Sequence, residues 1–301
     1  MKKLLLILCI LSNSIQIFCS YEKLMLQELC TNCQYIKREI IEQIELALNE
    51  ETDLEKIVNK MKNLNPNGFS NFINYGHINQ HHTFLEDAIW SNNPEKVQLL
   101  IDLGVDVHLR NRGIIYYNSL MWAARFKADK TIPLLITAGA DVNHKDEYGD
   151  TPLHFAVEHN HDRIIKLLID AGAKINLPNK SNQTPLHYAA VYNADRAISL
   201  LIGANANINH KDERGLTPLH LAVYAGAHRA IELLIAAGAD TTIKGRFIGT
   251  ARECIQPDYI THMIFDRAVT QRKEKLAAAT KIQAVARGFL TRENLKNEIE
   301  N

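Results

Sequence analysis

The 301-residue chain has no surplus of either charge: 34 basic residues face 34 acidic ones. That balance argues against a dedicated nucleic-acid binder, which needs a strongly basic surface. Cysteine is scarce, with five in the whole chain, too few for a scaffold stapled by disulfides. No apolar run reaches the ~20 residues of a comfortable membrane span. There is no Gly-rich phosphate loop, no HExxH and no GxSxG, the short signatures of nucleotide, zinc-protease and hydrolase chemistry. No catalytic residue and no cofactor is therefore expected. What remains is an ordinary globular composition, 46% hydrophobic and 23% charged, with enough apolar surface for a core.

The N-terminus has its own pattern. Lys2 and Lys3 precede the apolar run Leu4–Leu11, followed by Ser12-Asn13-Ser14 and a second apolar piece, Ile15–Cys19. A basic start before an apolar stretch of about 7–15 residues marks an export signal. Residues 1–20 are expected to be a signal peptide, cut near Ser14, Cys19 or Ser20, with an uncleaved anchor or neither as the alternatives. The protein is accordingly expected to be secreted, periplasmic or delivered into a host cell. Residues 21–80 read as an N-terminal helical segment: Tyr21–Met61 is rich in Glu, Lys, Ile and Leu without Gly or Pro, and Asn65–Gly68 reads as a turn.

Downstream the chain repeats itself. Thr-Pro-Leu-His begins at Thr151, Thr184 and Thr217, 33 residues apart. A Leu pair recurs at the same interval (Leu167/Leu168, Leu200/Leu201, Leu233/Leu234), followed by Ala171–Ala173, Ala204–Ala206 and Ala237–Ala239. Thr is a good helix N-cap and Pro fits the first turn, so each Thr-Pro starts a short helix. Small residues after the His, such as Ala156 and Val157, allow close helix approach. The Leu pair anchors a second helix, which ends at Gly, or at Asn205 in the one copy that lacks it. Asp141, Asp146 and Asp212 read as loop turn formers.

Period, motif and layout resemble the ankyrin repeat. The resemblance implies an all-α solenoid of five to six helix-turn-helix units joined by loops or β-hairpins. It places repeats at about 81–112, 113–147, 148–180, 181–213 and 214–246, with a truncated cap at 247–270. The first two are degenerate copies around Thr83–Ile89 and Asn118–Ala124, 35 residues apart, with two extra residues near Ile114–Tyr117. The resemblance also implies a protein partner, held by the loop tip just before Thr-Pro and by the end of each first helix. Those positions offer Glu147, Tyr148, Asp150, Glu158 and His159, then Lys180, Ser181, Gln183, Val191 and Tyr192, then Glu213, Arg214, Leu216 and Tyr224, with Arg125 and Phe126 extending the row. Tyr148, Tyr192, Arg214 and Tyr224 are expected at the centre, because Tyr and Arg are favoured interface anchors.

Two groups invite a chemical reading. His154, His187 and His220 share one repeat position, and identical residues one repeat apart are architecture: each is expected to brace a helix start. Cys30 and Cys33 form a CxxC, and His77 with His81 an HxxxH. The four suit zinc in kind, but the gap between the pairs far exceeds the usual 12–15 residues. A redox pair or a plain disulfide is the alternative for Cys30 and Cys33.

The tail, 271–301, is expected to be one helix with Gly288 as its weak point. Ile282, Val285 and Phe289 form an apolar stripe. From Arg267 to Lys296 eight basic residues face two acidic ones. Ile282, Gln283, Arg287, Gly288 and Arg292 fit a pattern that resembles the calmodulin-binding IQ motif. It implies a calmodulin-like partner that seats Ile282 and Gln283 and pairs its carboxylates with Arg287 and Arg292. A helix folding back to cap the last repeat, or one lying on anionic lipid, are the other readings.

Overall fold

The computed structural model describes residues 77–79, 82–108, 117–246, 248–255 and 259–299. The expected signal segment (1–20), Cys30, Cys33, His81, most of 21–80 and the expected insertion at 114–116 lie outside these. Two compact units, residues 1–147 and 148–301, are described separately.

In the first unit, β1 (His77–Asn79) and β2 (His82–Thr83) form a short antiparallel hairpin. The end of the segment expected to be helical is thus a strand. A helix N-cap has extended backbone, and Thr83 serves both roles at φ −70°, ψ 168°. It starts α1 (Phe84–Trp90). The Thr83 N–H donates to Glu86 Oε2 at 2.8 Å and the Glu86 N–H donates to Thr83 Oγ1 at 3.3 Å. Helix α2 is Pro94–Asp102, α3 is Ser119–Arg125 and α4 is Ile132–Thr137. Helix α1 packs on α2 and α3, and α4 on α2 and α3. Ile89, Leu100, Leu120, Met121, Ile132 and Leu135 fill the core.

The second unit repeats this pairing three times. Its helices are α5 (Pro152–Glu158) with α6 (Asp162–Asp170), α7 (Pro185–Val191) with α8 (Asp195–Gly203), and α9 (Pro218–Tyr224) with α10 (His228–Ala237). A 3-10 turn, Ala251–Cys254, and one long helix, α11 (Tyr259–Ile299), follow. First helices stack on first helices and second on second, with the 3-10 turn on α9 and α11 on α10. Ala156, Ala189 and Ala222 are fully buried, which lets the first helices meet closely. Of each Leu pair only the second member is fully buried (Leu168, Leu201, Leu234), its neighbour half-buried. Adjacent helical residues diverge by about 100°, so both cannot face one core.

Among the described residues the fold is an all-α repeat solenoid apart from the β1–β2 hairpin. One boundary moves. The expected break between a cap at 247–270 and a tail from 271 falls inside α11, which starts at Tyr259. With no Pro or Gly between Tyr259 and Arg287, nothing stops the last repeat's second helix from running on.

Candidate partner-binding surfaces

The loops between repeats are small hairpins. Asn179 N–H donates to the Gln183 carbonyl at 2.9 Å, Asp212 N–H to Leu216 at 2.9 Å and Gly245 N–H to Gly249 at 3.3 Å. Successive tips are also tied together: Lys180 N–H to the Tyr148 carbonyl at 2.8 Å, Glu213 to Ser181 at 3.1 Å and Arg246 to Arg214 at 2.9 Å. Both sets recur every 33 residues. Gly149 explains the closeness, since at φ +81° a Cβ there would stand 2.8 Å from the Lys180 nitrogen. The Asp212 carboxylate braces its tip by accepting from the Arg214 and Leu216 N–H groups at 2.9 and 2.8 Å. At the equivalent position Asn179 does the same for Ser181 and Gln183, and its amide also donates to Asp150 at 2.9 Å and to the Tyr188 hydroxyl at 3.2 Å. An amide accepts and donates at once, so Asn179 makes both kinds of bond where the Asp212 carboxylate can only accept.

The second surface is the end of each first helix. Trp90, Val191 and Tyr224 are the last residues of α1, α7 and α9, and are 61%, 41% and 65% exposed. One residue on, the C-cap positions hold Phe126, His159 and Tyr192. Apolar and aromatic side chains left in water at a recurring position are a partner-binding signal. Some are pre-oriented. The Tyr192 hydroxyl donates to Glu158 at 3.2 Å, and Trp122 and Phe126 stack at 4.9 Å between ring centroids. Partial burial and the Glu158 carboxylate push the Tyr192 phenol up, so it stays a neutral donor.

The repeated histidines lie beneath, fully buried. The Thr151, Thr184 and Thr217 N–H groups donate to His154, His187 and His220 Nδ1 at 3.1, 3.1 and 3.2 Å. Each Nε2 faces a carbonyl of the next repeat: Gln183 at 3.1 Å, Leu216 at 3.2 Å and Gly249 at 3.3 Å. Nδ1 must accept and Nε2 must donate, which fits only the neutral Nε2–H tautomer. Burial pushes His187 down to about 4 and lowers His220 as well. These rings hold helix starts, as the sequence suggested, and their contacts to the next repeat's carbonyls also join repeats. Where Glu86 and Glu253 take the position, the carboxylate accepts from the Thr N–H, at 2.8 Å in both cases.

Helix α11 divides by exposure. Thr261, Phe265 and Ala268 are buried, with Phe265 1% exposed. His228 Nε2 lies 2.9 Å from Thr261 Oγ1, Arg252 holds the Asp266 carboxylate with two contacts of 2.9 Å, and Arg272 donates to the Ala239 carbonyl at 2.9 Å. From Lys273 to Gln283 every side chain is exposed, Ile282 at 70%. The side chains of Arg287 and Arg292, and Gly288 between them, fall on the part of α11 described as backbone alone.

A family model described as ankyrin repeats in three copies matches residues 120–212, and another, ankyrin repeats in many copies, matches 200–253. Residues 120–253 are ankyrin repeats. A third family model, the IQ calmodulin-binding motif, matches residues 276–296 of the tail. No curated protein matches the chain. No helix among the described residues is long and apolar enough to cross a membrane.

Within these repeats the expected contact residues separate into groups. Tyr148 (57% exposed) and Arg214 stand on hairpin tips; His159, Tyr192 (50%) and Tyr224 stand at first-helix ends of the same unit. Arg125 and Phe126 end α3 in the other unit, where the Arg125 guanidinium donates to the Tyr117 hydroxyl at 3.3 Å. The position directly before Thr-Pro is corrected. Asp150 and Leu216 are buried, at 9% and 5% exposure, because that residue closes the hairpin over the next helix. Asp150 accepts from the Tyr188 hydroxyl at 3.0 Å instead of facing a partner. Trp90 escaped the sequence reading. The same 35-residue step that separates Thr83 from Asn118 places it at the position of Arg125, and that register was the available signal.

Proposed function

We propose that this protein is a non-catalytic interaction scaffold, with one protein partner on its hairpin tips and first-helix ends and a calmodulin-like protein on its tail. The observation that carries the tail assignment is the division of α11. The helix caps the last repeat as far as Arg272, and the IQ-matching stretch begins only after it has left the repeat surface. Capping and partner binding thereby fall to different halves of one helix. Exposed Ile282 is the apolar anchor, and the basic residues of the tail suit an acidic partner. The basic start and apolar run of residues 2–11 support export. Export and a calmodulin-like partner agree when the protein acts inside a host cell.

The test is a titration of purified full-length protein with fluorescently labelled calmodulin, with and without calcium. Binding by the wild type and a loss of about tenfold or more for Ile282→Glu is expected, the size of an interface anchor. Absence of binding under both conditions refutes the tail assignment. The intact mass of the exported chain reports whether residues 1–20 have been removed.

A further inference from the structure

The last three hairpin tips carry a row of cations, of which Arg214 alone lies beside a carboxylate among the described residues. Lys180, Lys211, Arg214, Lys244 and Arg246 are all exposed. Glu213 is the one exposed acid among these tips. Asp212 faces inward, its side chain 1% exposed and its carboxylate occupied by backbone N–H groups, with Oδ2 3.6 Å from Arg214 Nε. Asp240, at the base of the last loop, is turned onto Thr242 at 2.7 Å. Among the described residues no ion pair engages Lys180, Lys211, Lys244 or Arg246. The helical side of the same repeats is different. Arg196 lies 3.5 Å from Asp162, and Arg229 lies 3.6 Å from Asp195 and 2.9 Å from Glu232. There each arginine meets an acid of the preceding repeat. On the tips the charge is left for something else.

The tips are also rigid. Each is closed by its own hairpin bond and tied to the next by a backbone bond, and at Gly215 (φ +76°) a Cβ would stand 3.0 Å from the Arg246 nitrogen. The cations are therefore carried on a fixed ladder, one group per repeat, and little order is lost when a ligand meets them.

We infer that the edge formed by the tips at Lys180, Lys211–Arg214 and Lys244–Arg246 binds an extended acidic segment of a protein partner, whose carboxylates meet successive tips. This rests on the scaffold reading and names the chemistry of its partner. An extended chain matches a ladder whose charge recurs at each tip. Nucleic acid fits less well: the chain as a whole is neutral and Glu213 stands within the row, where a continuous phosphate backbone meets repulsion.

Selection of random peptides displayed on phage against the purified full-length protein tests this. The expected outcome is enrichment of Asp- and Glu-rich peptides whose binding weakens as salt rises. The triple variant Lys211→Glu, Lys244→Glu, Arg246→Glu should bind them at least about tenfold more weakly with an unchanged melting temperature. These side chains are exposed, so the fold should tolerate their reversal. Enriched peptides that are neutral or basic, or acidic peptides that bind the variant equally well, overturn the inference and leave the scaffold reading standing. Tighter binding of a single-stranded oligonucleotide, lost in the variant, overturns it in favour of nucleic acid. No enrichment of any peptide removes the scaffold reading of this edge together with the inference.

Discussion

Acid should loosen these repeats through their buried histidines, and His187 sets the size of the effect. Its ring is wholly buried, with Nδ1 accepting from Thr184 and Nε2 donating to the Leu216 carbonyl. Protonating Nδ1 breaks the first bond and places a charge where water cannot reach. Burial pushes the folded-state value down to about 4, whereas an imidazole in an unfolded chain titrates near 6.5. Between those values the unfolded chain binds more protons than the folded one, so stability falls as pH falls. The contribution is fully present above about 6.5, is lost on the way down to about 4 and changes no further below that. Its full size is about 3 kcal/mol, of which about 2.5 kcal/mol is gone by pH 4.5. That is a large share of the ~5–15 kcal/mol that holds a typical domain. His220, lowered by burial too, acts in the same direction. The assay is urea unfolding followed by the helical circular dichroism signal, at pH steps from 7.5 to 4.5, for the wild type and His187→Gln. The variant starts less stable, because glutamine cannot reproduce both bonds, but its stability should fall less with acid. Carboxylates titrate in both proteins and cancel in the comparison. Parallel curves would refute the argument that the buried ring of His187 is what acid attacks.

Two further outcomes follow from the same packing. Removing residues 273–301 should leave the melting temperature of the repeats nearly unchanged, whereas Phe265→Ala should cost about 3–5 kcal/mol, the price of emptying a buried aromatic site; a large drop in the truncated protein would show that the exposed half of α11 also supports the repeats. Lys127 holds φ +59° at the turn where Asn92, Asn160, Asn193 and Gly226 stand in the other repeats, so Lys127→Gly should stabilise by about 0.5–1 kcal/mol, and a measured destabilisation would refute the strain.

Much of this molecule is local and was therefore legible in the residues. Thr-Pro-Leu-His recurring every 33 residues states where helices begin, what spaces them and why His154, His187 and His220 are not catalytic. A capping bond spans three residues, and a left-handed helix end at Gly172 or Asn205 needs one. Such rules act within a turn of helix and leave their mark on the sequence. Other features depend on what a residue meets 29 or more positions away. Asn193 caps nothing in its own repeat; its side chain accepts from the Ala230 N–H of a later one at 3.0 Å. Asp150, placed like a contact residue, is turned inward by Tyr188 and Asn179.

The tail shows the division most clearly. Its sequence by itself determined a basic amphipathic helix with an IQ pattern, because helical spacing and charge are properties of the chain alone. Whether that helix capped the repeats or stood apart could not be read there, since Thr261, Phe265 and Ala268 look no more apolar than Leu276 and Ile282. Tertiary structure decided it. The surface of α10 reaches only as far as Arg272 at the Ala239 carbonyl, so burial ends there while the backbone hydrogen bonds carry the helix onward into solvent.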